Sequence, residues 1–541
     1  MALSNIGVTE GIDALVLVDD IGGTGYPISK MMLGTAGTNG GLVDENNPVP
    51  MISSSSSAFR DMVISQQREQ ISLNFTYEIN PEVLYDFTFG QATNISESGR
   101  LLISAGPTSN SIGAVVSRKT INYRPGMGAC ARFTAGFTTG ISGVNAGASA
   151  GLGGEENAFL FNYKNNTMNI LHRAHGQRDA RLLTFTNGSN TSGNIVITLN
   201  DNLITGIVSD NTSLTANTAN EFLSGLNPIS LLIAGYQAFA YGNSIEFMAL
   251  RTGPKNGSFG INFGASNANG TLTQLSTGVL ATETLIPQSS WNHDVCDGTQ
   301  FLPEIDWSKG NIFQIRYQWL GYGEIAFFVE NPDNGNFIRV HDIHYAGTAN
   351  IPSISNPNLP LIYSAGNGST SDIVQIFGSS AAGFLEGGTV LVNNHNKKAV
   401  SSAKSIGTSP EILLAFYMPR IYKGKSTQTF AEGLRMIINS SAGGEIDVYK
   451  GTDVDPISLQ GNVSWTQPTD NTLLVYNTTA TGFSGGRLIA KYLTDGILDL
   501  ASSQTENNLL EILPGELVVI QGLADNGTVK FGVTFIWAEN K

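Results

Sequence analysis

The chain has 541 residues, a length that implies about three to four domains. Its 41% apolar content can bury real cores and excludes wholesale disorder. With 29 Lys and Arg against 44 Asp and Glu, the formal charge of −15 repels phosphate backbones and argues against binding nucleic acid.

Charged residues make up only 13%, about half the usual share, so the surface must be covered by neutral Asn, Ser, Thr and Gly. That composition suits extracellular surfaces better than cytosolic enzymes. The first 29 residues hold Glu10, Asp13, Asp19 and Asp20 and no Lys or Arg, which is unlike a secretory signal. The most apolar run, 229–235, is far shorter than the ~18 residues of a membrane helix, so no membrane insertion is expected. Cys130 and Cys296 have no CxxC or Cys/His partner nearby and are expected as buried free thiols. The expectation is a chain made in a cytosol that reaches the outside by lysis or assembly.

In chain order, residues 1–58 offer one apolar strand, Ala14–Val18, amid Gly/Pro-rich text and the run Ser53–Ser57. That is too little for a core, so the segment reads as an extended N-terminal arm. Strands are expected at Ala158–Tyr163 and Met168–His172. From 181 to 284 the text turns poor in aromatics and rich in Asn, Thr and Ser. It contains a strand at Asn194–Leu199 and a short helix at Thr215–Leu223, and reads as a domain inserted into a loop of a sandwich spanning 59–180 plus 285–385, the alternative being a plain tandem domain.

After the insertion, Phe313, Ile315, Tyr317 and Trp319 alternate with Gln314, Arg316 and Gln318. Ile325, Phe327 and Val329 follow the turn at 321–323, and Ile338 and Val340 follow the turn at 331–335. Three strands on short turns make a meander, the unit of an antiparallel sandwich. A further strand is expected at Asp372–Phe377. Residues 386–410 read as a polar linker, and 411–541 as a C-terminal β-sandwich, with alternation at Ile412, Leu414 and Phe416 and again at Phe531, Val533, Phe535 and Trp537. The fold class is all-β: tandem antiparallel sandwiches, an inserted small domain and an N-terminal arm.

Chemical motifs are weak. Gly424-Lys-Ser-Thr427 copies the end of a phosphate loop, but Pro419 stands where its first Gly belongs, so a basic turn is expected. Gly22, Gly23 and Gly25 do not complete a dinucleotide fingerprint. Glu304 with Asp306 and Glu445 with Asp447 supply only half of a glycosidase acid arrangement, since Lys309 and Tyr449 follow. His172 and His175, like His341 and His344, stand at i and i+3 and point to opposite strand faces, so neither pair chelates alone. They could bind metal only by meeting across a sheet with Asp342. Asp453 and Asp455 lack the oxygen ladder of a calcium loop. No metal, no cofactor and no enzyme activity are expected. Trp291, Trp307, Trp319 and Tyr322 are the aromatics that could stack on sugar rings; Trp319 continues a core face, and Tyr322 sits in a turn. The glycan-contact candidates are therefore Trp319 and Tyr322.

Several of these stretches resemble virion proteins of tailed bacteriophages. Val18-Asp-Asp-Ile-Gly-Gly-Thr-Gly-Tyr-Pro27 and Leu33-Gly-Thr-Ala-Gly-Thr-Asn-Gly-Gly41 are similar to the N-terminal segment of phage structural proteins. Ile170–Arg173, Ile286–Asn292, Lys309–Gly323, Phe328–Pro332 and Asn356–Pro360 resemble a lectin-like jelly-roll module of fibre, spike and head-decoration proteins. The resemblance implies a structural component of a tailed-phage virion, surface-exposed and assembled in the host cytoplasm. Its arm, with Asp19, Asp20, Ile21, Gly22, Gly23, Tyr26 and Pro27, would anchor it to capsid, portal or tail subunits. A homo-oligomer is implied, a trimer in the fibre case. The alternative is a carbohydrate-binding adhesin using 321–323 on a host surface glycan; a polysaccharide depolymerase is disfavoured by the missing acid pair.

Overall fold

Short runs with a period of two dominate the chain, and they fold as antiparallel strands throughout the computed structural model. The structure describes residues 17–21, 24–28, 67–140, 143, 145–386, 396–501 and 510–539, with backbone alone at 17–28, 396, 397 and 501. The chain divides into two units, Met1–Ser56 and Ser57–Lys541.

In the first unit, Leu17–Ile21 pairs antiparallel with Thr24–Ile28. A hairpin thus occupies part of the expected arm. Its second strand escapes a sequence reading because Gly25 and Pro27 are poor strand formers, tolerated where one edge is unpaired. Of the anchoring candidates, Asp19, Asp20 and Ile21 lie in the first strand and Tyr26 and Pro27 in the second. Gly22 and Gly23 lie outside the described residues, as do 14–16, where the first strand was expected to begin.

In the second unit, a seven-stranded sheet runs in the order Thr282–Pro287, Thr167–Ala174, Ala158–Lys164, Gly147–Gly153, Leu359–Gly366, Ile112–Ile121, Leu84–Phe89. A nine-stranded sheet faces it. There the expected meander appears as Asn311–Tyr317, Ile325–Glu330 and Phe337–Ile343, with Phe313 opposite Val329 and Val329 opposite Ile338. Trp319 falls beyond the end of the first of these strands. The strand expected at Asp372–Phe377 is shorter, Gln375–Gly378. Between the sheets the inward sets interlock: Phe161 lies 4.6 Å from Phe313, and Phe133 stacks on Phe313 at 5.5 Å.

The chain leaves this sandwich after Ala174 and returns at Thr282. The two crossings are tied together, Gln177 N–H donating to Val279 O at 2.9 Å and Val279 N–H to Gln177 O at 2.8 Å. Residues 282–284, counted with the insertion on composition, instead begin the sandwich edge strand Thr282–Pro287. The intervening segment builds a four-stranded sheet containing Arg178–Asn187 and Ser244–Thr252, and a three-stranded sheet containing Gly193–Leu199. The helix Thr215–Gly225 buries Ala219 and Phe222 against them. A second helix, Pro228–Ala234, starts where Asn227 caps the N–H groups of Ile229 and Ser230 with Pro228 at its first position, and stops at Gly235 in the left-handed region.

The C-terminal domain stacks two five-stranded sheets around Phe416, Phe535 and Trp537. The reading of 386–410 as a linker is corrected here. Asn396–Ile406 is a full edge strand paired with Val529–Glu539 from Asn396↔Glu539 to Ile406↔Val529. Its polar text is that of a strand with one open face, burying Val400 and Ile406 and exposing Ser401, Ala403 and Ser405. Residues 387–395 lie outside the described residues.

Candidate functional site at the three-domain junction

Alternation along each strand of the seven-stranded sheet sends one set of side chains away from the sandwich core. Register aligns Leu285, Leu171, Leu160, Gly151, Ile362, Val116 and Tyr85 as one outward row across the strands. The next row carries Asn169, Asn162, Ser149, Ser364, Ala114 and Phe87. An apolar lane therefore runs beside a neutral polar lane. Leu160 and Leu171 form a small apolar cluster with Ala158, separate from the main core, and Ile362 packs against it.

Two domains wall this face. The inserted domain contributes Gln237, Phe239, Met248 and Arg251, and the C-terminal domain contributes Thr427, Gln428 and Phe430, leaving a cleft of about 870 Å³. The walls are pinned by cross-domain contacts. Thr120 Oγ1 donates to Gln428 O at 2.9 Å, Gln177 Nε2 to Gly424 O at 2.6 Å, and Ser426 Oγ to Glu156 Oε1 at 2.6 Å. Arg420 pairs with Asp453, which also takes Arg118 Nη1 at 3.2 Å. Tyr241 of the inserted domain stacks on Tyr417 of the C-terminal domain at 3.9 Å. Glu246, 1% exposed beneath this junction, has its carboxyl pushed up to about 7 because burial outweighs the pull of Arg420 and Arg178.

The aromatic candidates lie elsewhere. Trp319 is half-buried, donates Nε1–H to Ile354 O at 3.2 Å and meets Tyr123 edge-on. Tyr322 is 37% exposed, its hydroxyl donating to Asn350 O at 3.1 Å. Neither lines the cleft. Trp291 and Trp307 are buried against each other in the sandwich core.

The histidine pairs do not converge. His172 Nε2–H donates to Ser353 O at 2.8 Å and His175 Nε2–H to Pro352 O at 2.9 Å, while His341 Nδ1 accepts from Asn292 N–H at 3.2 Å. Burial lowers the basicity of His172 and His341. Asp342 gathers with Glu324 and His344 instead, with His293 Nε2 2.5 Å away, and the Arg339 guanidinium pairs with both carboxylates and offsets one of their two charges.

The paired acids are engaged too. Lys491 bridges Glu445 and Asp447, and Asp306 caps Ser308 N–H at 2.9 Å in an exposed turn. Asp455 accepts from Gly486 N–H at 3.0 Å. Gly424-Lys-Ser-Thr427 is a turn, as expected, Lys423 and Gly424 taking the two left-handed positions between Ile421–Tyr422 and Lys425–Ser426. Cys130 and Cys296 are free and buried, and burial pushes the Cys130 thiol up to about 12.

The residues that sequence reasoning missed are those of the cleft. Asn162 stands between Phe161 and Tyr163, and a polar residue in an alternating strand reads as solvent-facing. The signal available was the pairing of such positions across strands: Asn162 and Asn169 belong to consecutive strands on a short turn.

No family model matches the chain, and no curated protein matches it. Among solved structures, lectin I-B4 from Griffonia simplicifolia in its metal-free form is similar over 58% of this chain and 99% of its own, at 11% identity and a TM-score of 0.23. The exoplasmic/lumenal domain of VIP36, in a Ca²⁺/Man3GlcNAc-bound form, is similar over 59% of this chain and 90% of its own, at 11% identity and a TM-score of 0.24. A structure of the triple jelly roll fold and turret assembly in an archaeal virus covers 88% of this chain and 96% of its own, at 7% identity and a TM-score of 0.15. The all-β assignment itself rests on the strand pairing described above.

Proposed function

We propose that this chain is a structural component of a tailed-phage virion, a surface-exposed fibre, spike or decoration protein anchored through residues 1–58. One observation carries the reading: the sandwich, inserted and C-terminal domains are fastened to one another by cross-domain contacts, chief among them the ion pairs of Asp453 with Arg420 and Arg118 and the buried Tyr241–Tyr417 stack. Inter-domain motion is the default for multidomain chains, and its suppression by ion pairs and a buried aromatic stack suits a rigid exterior block. The neutral surface implied by 13% charged residues fits the same role. The protein acts by assembly in symmetric copies on capsid, portal or tail subunits, not by catalysis. Deleting 1–58 should leave the thermal unfolding of the remaining body unchanged and abolish incorporation into particles. Full incorporation of the truncated chain would overturn the anchoring role.

A second reading, a host-glycan adhesin, is favoured by the exposed turn residue Tyr322. A glycan array probed with the native chain and Tyr322→Ala tests it; absence of any signal that depends on Tyr322 would remove this turn as the contact. Incubation with capsule or lipopolysaccharide should release no new reducing ends, and their appearance would point to a depolymerase.

A further inference from the structure

We propose that the cleft at the three-domain junction is a binding site for a neutral oligosaccharide, with the outward face of the seven-stranded sheet as its floor. The inference depends neither on the particle reading nor on Tyr322.

Its first support is the pattern of the floor. The apolar lane of Leu160, Leu171 and Ile362 and the polar lane of Asn162, Ser149 and Ser364 lie side by side, crossing adjacent strands about 4.8 Å apart. A ligand that matches must be elongated, with one apolar and one hydrogen-bonding side. Pyranose rings joined in a chain have that character: C–H groups on the ring faces and hydroxyls around the rim. Phe87 ends the polar lane and supplies an aromatic surface at the cleft wall.

The second support is independent. Asn162 is only 6% exposed, and its Nδ2 donates to Ser149 Oγ at 2.7 Å and Ala148 O at 3.3 Å. Its Oδ1 has no hydrogen-bond partner among the described residues, and the same holds for Thr427 Oγ1 and Gln428 Oε1 on the C-terminal wall. Orphaned buried polar atoms cost about 1–3 kcal/mol each, and here three belong to residues that line one cleft. Two are pure acceptors and one is a hydroxyl, so the missing partner must donate. Asn162 occupies one lone pair of Ser149 Oγ and leaves the hydroxyl hydrogen to donate elsewhere. Floor and wall together therefore offer acceptors and a donor, the complement of sugar hydroxyls, which do both.

Charge selects the class. The lanes are uncharged, and of the nearest charges at their ends Arg173 is already taken by Glu283 at 2.7 Å. Lys164, the next outward residue after Asn162, also lines the cleft at the end of its strand, its Nζ meeting Asn145 Oδ1 at 3.5 Å, so a carboxylate seated over the middle of the lanes, away from both ends, would be buried unpaired.

The test is isothermal titration of the full chain with maltohexaose, cellohexaose, mannohexaose and, as an acidic comparison, a hyaluronan hexasaccharide. At least one neutral hexasaccharide should bind in the micromolar to low-millimolar range. Phe87→Ala and Ser364→Trp, both at half-buried surface positions, should weaken it at least about tenfold, while Gly260→Ala, outside the cleft, should leave it unchanged. Circular dichroism melting confirms that each variant is folded. Binding of no neutral member, equal binding of hyaluronan, or neutral binding insensitive to both cleft variants would each overturn the proposal.

Discussion

The guanidinium of Arg420, in the C-terminal domain, lies over the ring of Phe239, in the inserted domain, its central carbon 3.7 Å from the ring centroid. The same guanidinium pairs with Asp453 and donates to the Tyr417 hydroxyl at 3.1 Å. A buried cation thus sits between a π-face and a carboxylate at the junction of the two domains. Phe239→Leu keeps apolar volume and removes the π-face, and should lower stability by about 1–2 kcal/mol, read as a shift in the urea midpoint. A shift below about 0.3 kcal/mol would show that the stacking contributes nothing at this junction.

Glu246 gives the junction a pH dependence with a definite sign. Its folded-state value of about 7 lies above the ordinary 4.5, so between those values the native chain holds a proton that the unfolded chain has released. Its stabilising contribution is complete below about pH 4.5 and is lost as pH rises through 7. Glu246→Gln should therefore raise stability at pH 8 by up to about 3 kcal/mol and give no such gain at pH 4. Melting curves of both proteins at the two pH values decide it.

Both cysteines should be silent toward alkylation in the folded protein. Burial raises the Cys130 thiol to about 12 and raises Cys296 as well, leaving almost no thiolate at pH 8. Iodoacetamide followed by mass spectrometry should find no adduct on native protein and two after unfolding in urea.

The meander turn depends on a close approach that only glycine permits. A Cβ on Gly323 would lie 1.6 Å from the carbonyl oxygen of Gln318, whereas one on Gly260 would meet nothing within 4 Å. Gly323→Ala should destabilise by several kcal/mol or abolish soluble folding, because the obstructing atom is backbone. Gly260→Ala should be neutral to within about 0.5 kcal/mol. Comparing their melting temperatures with the native chain checks both.

How much of this was legible depended on where each residue's partners lie. The meander at 311–343 could be read because one face of each strand is apolar and its neighbours are a few residues away. The helix at Thr215–Gly225 was equally local. Asn396–Ile406 was missed because an edge strand with one open face can be built from Lys, Ser and Ala, its register being set by a partner more than 120 residues later. The cleft was invisible for a stronger version of the same reason. Tyr85, Asn162, Ser364 and Gln428 meet only through cross-strand register and domain docking, and in sequence each looks like an ordinary solvent-facing position. The fates of Asp342 and Asp453 were also hidden, since each is claimed by an arginine whose arrival no spacing announces.

The central claim, that this chain is built into the exterior of a tailed-phage particle, is tested most directly by electron cryomicroscopy of the particles released from cells that express it. The account predicts density for the 67–539 body on the particle exterior in symmetry-related copies. A particle whose exterior density is wholly explained by other chains, with this one recovered only as free protein in the lysate, would contradict it.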